Sequence, residues 1–188
     1  MKAREGLVAL AMFMMVGDAA NAALFDDRYR AVIPANDVKD FLAARGCTYF
    51  PKGLDRVSAG WLPDAAIIAA AEDRLPRALQ RAIQDAPWIG PISKAKQTDW
   101  EEVANHSRQY AGIVLNGRKL VLVVAARIYV VDFDGRHDWV KIDNPDWWRA
   151  PQGVCDGGST QFVTFYDPAE GSYRDFTFAG TIAGYSEP

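Results

Sequence analysis

The stretch RQYAGIVLNGRKLVLVVAARIYVVDF, residues 108–133, decides the fold. Two apolar arms flank Asn116-Gly117, the dipeptide that most strongly favours a two-residue hairpin turn. The second arm, residues 120–131, is almost continuously apolar, which is typical of a central strand. We therefore predict an antiparallel hairpin in the middle of a sheet, with helices covering one face of that sheet.

A second hairpin is predicted after residue 160. The strand QFVTFYD is followed by the turn Pro168-Ala169-Glu170-Gly171 and the strand SYRDFTFAG. Alternate side chains of a strand point to opposite faces. One face of the first strand therefore carries Phe162, Thr164 and Tyr166, and the other carries Val163 and Phe165. The two hairpins together predict an antiparallel sheet of at least four strands.

Helical patterns precede the hairpins. Residues 34–47 are predicted to form a short helix capped by Asn36, with Val38, Phe41 and Leu42 as its apolar stripe. Residues 61–86 are predicted to form a longer helix that Pro76 kinks or restarts. The segment TDWE, residues 98–101, matches a capping box before a third, short helix. N-terminal helices packed on a later antiparallel sheet indicate an α+β domain.

The first residues are typical of an export signal. Lys2 and Arg4 precede the apolar run of residues 7–16, and Ala20-Asn21-Ala22 follows as a small-residue cleavage site. The run is shorter than the roughly 20 apolar residues that span a bilayer, so no stable membrane insertion is expected. We predict a signal peptide over residues 1–22 and a single globular domain over residues 23–188, located in the periplasm or secreted.

Composition and charge exclude two classes of protein. With 49% apolar and 24% charged residues, the chain has the balance of a globular domain and not of a disordered one. Its formal net charge of -3 is the wrong sign for nucleic-acid binding, which requires clustered lysine and arginine. No sequence motif indicates a cofactor.

The two cysteines, Cys47 and Cys155, are predicted to form one disulfide, because an even number of cysteines in an exported protein indicates pairing. The bond would close a loop of about 108 residues, worth roughly 4–5 kcal/mol in the chain-entropy description. A catalytic thiol would instead stay reduced beside a basic partner. We therefore interpret Cys155-Asp156-Gly157-Gly158 as the entry to a strand and not as a reactive site.

Catalytic motifs are missing from the sequence. Neither His106 nor His137 stands in a G-x-S-x-G or H-E-x-x-H pattern, and we interpret both as surface residues. Two carboxylate pairs, Glu101-Glu102 and Asp132-Asp134, are the candidates for glycoside hydrolysis. We do not favour this interpretation, because neighbours on a short helix point in different directions. No catalytic residue is predicted.

The segment DFDGRHD, residues 132–138, resembles part of a calcium loop. In an EF-hand the glycine takes the sixth position and a bidentate acid the twelfth, but here Lys141 would stand at twelve. We favour a solvated turn between strands. The alternative is a looser oxygen-ligand site formed by Asp132, Asp134 and Asp138.

The polar loop of residues 132–151 carries the most distinctive surface chemistry. Tryptophan and arginine are enriched at interface hot spots, and clustered acids attract a basic partner. We expect Trp139 to cap the core, and for Trp147 and Trp148 we leave binding and core packing as equal alternatives. The candidate binding residues are Asp132, Asp134, Asp138, Trp147, Trp148 and Arg149, with Asp143 and Asp146 close by.

Motifs along most of the mature chain resemble a group of small uncharacterised exported proteins of Gram-negative bacteria. They are a cysteine upstream of WLPD and an AEDRL helix, then RQYAGIVLNGRK, then VCDGG...FYD...F.F.G. This chain departs from the group in AARIY, where an Asn-aromatic pair is expected, and in FAG, where FNG is expected. The resemblance implies an exported domain with a disulfide, and no functional residue is carried over from it.

These observations predict a non-enzymatic exported binding protein, of inhibitor or immunity type, that engages an unidentified protein partner through the loop. The alternative is a small-ligand or cell-envelope carbohydrate-binding module that uses the same tryptophans as a stacking platform. A hydrolase is the third hypothesis.

Overall fold

The computed structural model describes residues 29–46, 48–85, 106–127, 129–131, 137–139, 146–152 and 158–179, with the backbone alone at residues 127, 129–131, 137–139, 158–160 and 179. Two 3-10 turns, Leu54–Arg56 and Trp147–Arg149, accompany the helices and strands. In chain order these are β1 (Arg30–Val32), α1 (Val38–Ala43), β2 (Val57–Trp61), α2 (Ala65–Asp85), β3 (His106–Leu115), β4 (Arg118–Arg127), β5 (Tyr129–Val131), β6 (His137–Trp139), β7 (Gly158–Asp167) and β8 (Ser172–Ala179).

The fold is α+β, as predicted, and its main sheet has six strands. Five of them follow the order β1-β3-β4-β7-β8, and β2 pairs with β3 as well. Strands β1 and β2 pair with successive parts of β3, at residues 108–110 and 112–115. The prediction of an entirely antiparallel sheet is wrong at one edge, because β1 runs parallel to β3.

The central hairpin confirms the interpretation of Asn116-Gly117. Both residues have positive φ angles, 51° and 77°, which is the geometry of a type I′ turn. The prediction that the second arm continues to Val131 is wrong. Strand β4 ends at Arg127, because its partner there, His106, is the first residue of β3. Beyond that point β5 pairs with β6 in a separate two-stranded sheet.

The second hairpin is also confirmed. Strands β7 and β8 pair antiparallel around the predicted turn at residues 168–171. The buried Asp167 fixes this turn, since its Oδ1 accepts hydrogen bonds from the amides of Ala169 and Glu170 at 3.0 and 3.4 Å. The register of the pair shifts between Val163 and Phe165, opposite the part of β8 where Asp175 takes a φ of 56°. The irregularity is a bulge that twists the edge strand.

The helices lie on opposite faces of the sheet, so the prediction that they cover one face is wrong. Helix α1 shares a core cluster with Leu122 and Val124 of β4. Helix α2 packs on the side that carries Val123 and Ala125. Neighbouring side chains of a strand point to opposite faces, so β4 is covered on both. This explains why its sequence is apolar throughout.

The helix boundaries differ from the sequence predictions. Helix α1 has Asp37 at its N-cap position with no side-chain cap hydrogen bond, so the prediction that Asn36 caps it is wrong. Trp61 ends β2 and does not begin a helix. Helix α2 begins at Ala65, where Asp64 Oδ1 accepts a hydrogen bond from the Ile67 amide at 2.8 Å, and it runs through Pro76 as one helix.

Candidate binding surface

The segment of residues 146–152, which we call the tryptophan turn, lies against the α1 face of the sheet. Its 3-10 turn contains Trp147 and Trp148, and both are half-buried. Trp148 packs against the core cluster that includes Leu122 and Phe165. Trp148 is therefore compatible with both core packing and binding, because part of its surface is in the core and part is exposed.

Gln109 holds the tryptophan turn to β3. Its side chain is fully buried, and its Nε2 donates to the carbonyl oxygens of Trp147 and Ala150 at 3.1 and 2.7 Å. Its Oε1 accepts a hydrogen bond from the Gln152 amide at 2.8 Å. One amide thus satisfies three backbone groups of a segment that has no sheet partner among the described residues.

A second glutamine fastens the end of the turn. Gln161 of β7 is buried, and its Nε2 donates to the Gln152 carbonyl at 2.8 Å and to Thr48 Oγ1 at 3.4 Å. The Thr48 hydroxyl lies 3.5 Å from the same carbonyl oxygen. The turn is therefore joined both to the sheet and to the segment that follows α1.

The guanidinium group of Arg149 is fixed beside the turn. Its Cζ lies 4.6 Å from the centroid of the Trp148 ring, within the range of a cation–π contact. Its Nε donates to Asp146 Oδ1 at 3.0 Å, and both side chains of this ion pair are about 60% exposed. Trp148 and Arg149 thus present an aromatic ring and a charged group together at the surface.

The segment after α1 repeats this arrangement. Arg45 is exposed, and its Cζ lies 5.9 Å from the centroid of the Phe50 ring, which packs against the same core cluster as Trp148. Tyr49, which directly precedes Phe50 in the chain, is 47% exposed. It is one of two exposed large hydrophobic side chains among the described residues. We call the combined set the aromatic surface. It consists of Arg45, Tyr49, Phe50, Trp147, Trp148 and Arg149.

Of the residues predicted from the sequence to bind, the structure brings together Trp147, Trp148 and Arg149. Asp138 is the middle residue of β6, with its backbone alone described. The other candidates lie outside the described residues, and these are Asp132, Asp134, Asp143, Glu101, Glu102, Cys47 and Cys155. Of the stretch that resembles a calcium loop, residues 132–136 also lie outside the described residues, and His137 and Asp138 belong to β6.

Sequence reasoning missed Gln109, Gln161 and Thr48, which position the tryptophan turn. The available indication was that both glutamines stand in strands made mostly of apolar residues, since a buried amide requires hydrogen-bond partners. The interpretation of His106 as a surface residue is wrong. It is 1% exposed, and its ring centroid lies 5.5 Å from that of Phe162. No cluster of three metal-ligating side chains occurs in the described part of the chain.

A polar cluster on the opposite face connects α2 to β3. Arg108 Nε donates to Glu72 Oε1 at 2.7 Å, and the Tyr110 hydroxyl donates to the same oxygen. Tyr173 of β8 donates to the Ala71 carbonyl at 3.0 Å. Burial, followed by the charge of Glu72, raises the pKa of both tyrosines above the usual value. These hydroxyls therefore stay protonated hydrogen-bond donors, and the cluster acts as a fastening for α2.

Glu72→Ala tests this role. The Arg108 side chain is 6% exposed and that of Glu72 is 20% exposed, so loss of the carboxylate removes a hydrogen-bonded counter-ion from a buried guanidinium. Breaking a buried pair costs about 3–5 kcal/mol, and we expect about 2 kcal/mol here because Glu72 is partly solvated. Urea denaturation should show the loss. Asp73→Ala is the control and should change stability little, because Asp73 is an exposed neighbour of Glu72. The double variant Glu72→Leu with Arg108→Met should recover part of the stability lost in Glu72→Ala. A loss with Glu72→Ala no larger than with Asp73→Ala would contradict the assignment.

Comparison with known proteins gives no relative. No family model, no curated protein and no solved structure matches the chain. Among the described helices, none is both long enough and apolar enough to cross a membrane. The function is therefore argued from the surface itself.

Proposed function

We propose that this chain is an exported, non-enzymatic binding protein, of inhibitor or immunity type, whose protein partner docks on the aromatic surface. The observation that carries the proposal is the attachment of the tryptophan turn to the sheet by Gln109. These three hydrogen bonds satisfy backbone groups of the turn and hold it in one conformation. A binding loop gains from them, because a segment ordered before association loses less conformational entropy on binding.

The composition of the aromatic surface supports a protein partner. Tryptophan, tyrosine and arginine are the residues most enriched among interface hot spots. Tyr49 and Arg149 are exposed, while Trp147 and Trp148 are half-buried, so rigid rings project from a packed base. Rigid side chains of this kind supply contact area at a low cost in side-chain entropy.

The carbohydrate alternative is less well supported by the geometry of Trp148. A sugar stacks on an open aromatic face, whereas this indole packs on the core and has the Arg149 guanidinium 4.6 Å from its centroid. Stacking on Trp148 would require Arg149 to leave. A protein partner can instead use the ring edge and the guanidinium together.

Export and the disulfide belong to the same proposal. The signal peptide over residues 1–22 places the domain in the periplasm or outside the cell, where a Cys47–Cys155 bond forms. The contact between Thr48 and Gln152 supports this pairing, since Cys47 directly precedes Thr48. Cys155 is three residues after Gln152, so their Cα atoms can be at most about 11 Å apart. The bond would close the base of the tryptophan turn.

Truncation of Trp147 tests the proposal. Capture from periplasmic extract should retain a stoichiometric protein partner, and Trp147→Ala should weaken its binding by more than about 1 kcal/mol with little change in melting temperature. Trp148→Ala should weaken partner binding and also lower the melting temperature, because Trp148 packs on the core. Leu62→Ala is the matched control, since Leu62 is 44% exposed and lies outside the aromatic surface. Unchanged binding by Trp147→Ala, or no stoichiometric partner, would contradict the proposal.

A further inference from the structure

The charges on the aromatic surface are opposite in sign to the protein as a whole. The chain has a net charge of -3, whereas the aromatic surface carries two arginines, and the exposed Lys52 follows Phe50 by two residues. In the described part of this region Asp146 faces Arg149. The acidic loop in the sequence predicts a basic partner, whereas the charges of the aromatic surface favour an acidic one.

Both arginines lie near an aromatic ring and donate a hydrogen bond from Nε, Arg45 to the Leu42 carbonyl at 3.4 Å and Arg149 to Asp146 Oδ1 at 3.0 Å. Each guanidinium lies near an aromatic ring, at 4.6 Å for Arg149 on Trp148 and 5.9 Å for Arg45 on Phe50. A guanidinium in contact with a ring can still direct N–H groups to the two oxygens of a carboxylate. Stacking also removes much of the side-chain freedom that binding would otherwise have to remove.

The pair Asp146–Arg149 shows that this guanidinium can donate to a carboxylate while it lies beside the Trp148 ring. The Nε–Oδ1 distance is 3.0 Å, and the two side chains are 60% and 61% exposed. Exposed pairs of this kind contribute little to stability, so a partner's carboxylate can replace or extend this one without a large penalty. The surface therefore contains its own example of the contact that a partner would make.

We infer that the partner presents clustered aspartate or glutamate side chains to Arg45 and Arg149, next to an apolar group that contacts Tyr49. This inference rests on the proposed function and specifies the chemistry of the partner. Arg45 and Arg149 each lie near a ring that packs on the same core cluster. Together with the exposed Tyr49 they form a surface for an acidic segment that carries an aromatic or aliphatic side chain.

Panning of a random peptide library against the full exported protein tests the inference. The selected peptides should be rich in aspartate and glutamate. Arg45→Glu combined with Arg149→Glu should weaken their binding by about tenfold or more, and panning on this variant should select basic peptides. Arg77→Glu is the matched control, since Arg77 is exposed on α2 at the opposite face of the sheet. Arg149→Gln, which removes the charge but keeps a polar side chain, should weaken binding in the same direction.

The outcomes separate this inference from the proposed function. Basic peptides, or acidic peptides that bind the double variant as well as the unchanged protein, would overturn the inference. If Trp147→Ala abolishes binding while the arginine changes do not, the proposed function stands and the inference fails. If neither change alters binding, or if no peptide is selected, both fail. Circular dichroism of each variant confirms that a loss of binding is not a loss of folding.

Discussion

Replacement of Cys155 by serine is expected to lower the free energy of unfolding by roughly 4–5 kcal/mol, the largest effect that we predict for a single change. A bond between Cys47 and Cys155 would restrict a loop of about 108 residues in the unfolded chain. Its loss would raise the conformational entropy of the unfolded state and so favour unfolding. Most domains are stable by only about 5–15 kcal/mol, so this variant should unfold at much lower urea concentration.

Non-additivity provides the control for this prediction. Cys47→Ser should cost a similar amount, and the double variant should be no less stable than either single one, because each change opens the same loop. Intact mass with and without reductant should differ by two hydrogens in the exported protein. Free thiols on both residues, or additive losses in the double variant, would contradict the disulfide.

Gln109→Leu is expected to have the next largest effect, about 3–4 kcal/mol. Leucine fills a similar volume but leaves the carbonyls of Trp147 and Ala150 and the amide of Gln152 without the partner they now have. Each buried polar group that loses its partner costs about 1–3 kcal/mol, and part of this is recovered when the turn opens to water. Urea denaturation measures the loss, and partner binding should weaken as well because the turn is no longer ordered.

A graded series separates hydrogen bonding from a general effect of substitution. Gln161→Leu removes contacts to the Gln152 carbonyl and to Thr48, so we expect a smaller loss of about 1–2 kcal/mol. Gln80→Leu on the opposite face, where the side chain is half-exposed, should change stability by less than about 0.5 kcal/mol. Equal losses for all three variants would show that Gln109 has no special role.

The sequence predicts those parts of the fold that local chemistry determines. The turn at Asn116-Gly117 follows from the positive φ angles that these two residues tolerate, and the buried positions Val38, Phe41 and Leu42 follow from helical spacing. Features that depend on distant partners were not predictable. Strand β4 ends at Arg127, whose partner is His106, the first residue of β3, and no local pattern marks that point.

The candidate site shows the same division. Trp147, Trp148 and Arg149 stand out from composition alone, because these residue types are common at interfaces. Their fixation is not visible locally, since Gln109 and Gln161 are far from the turn in sequence and reach it only after the strands have paired. His106 is a further example, because nothing near it in the sequence indicates that it is buried. Its burial depends on packing against Phe162 of another strand.

The order of the tryptophan turn in the free protein is tested most directly by amide hydrogen exchange at Gln152. Its N–H donates to the buried Gln109 side chain at 2.8 Å, so we predict slow exchange in the unchanged protein. In Gln109→Leu the same amide should exchange at the rate of an exposed loop, while amides of β3 and β4 remain protected. Rapid exchange at Gln152 in the unchanged protein would contradict a pre-organised binding surface.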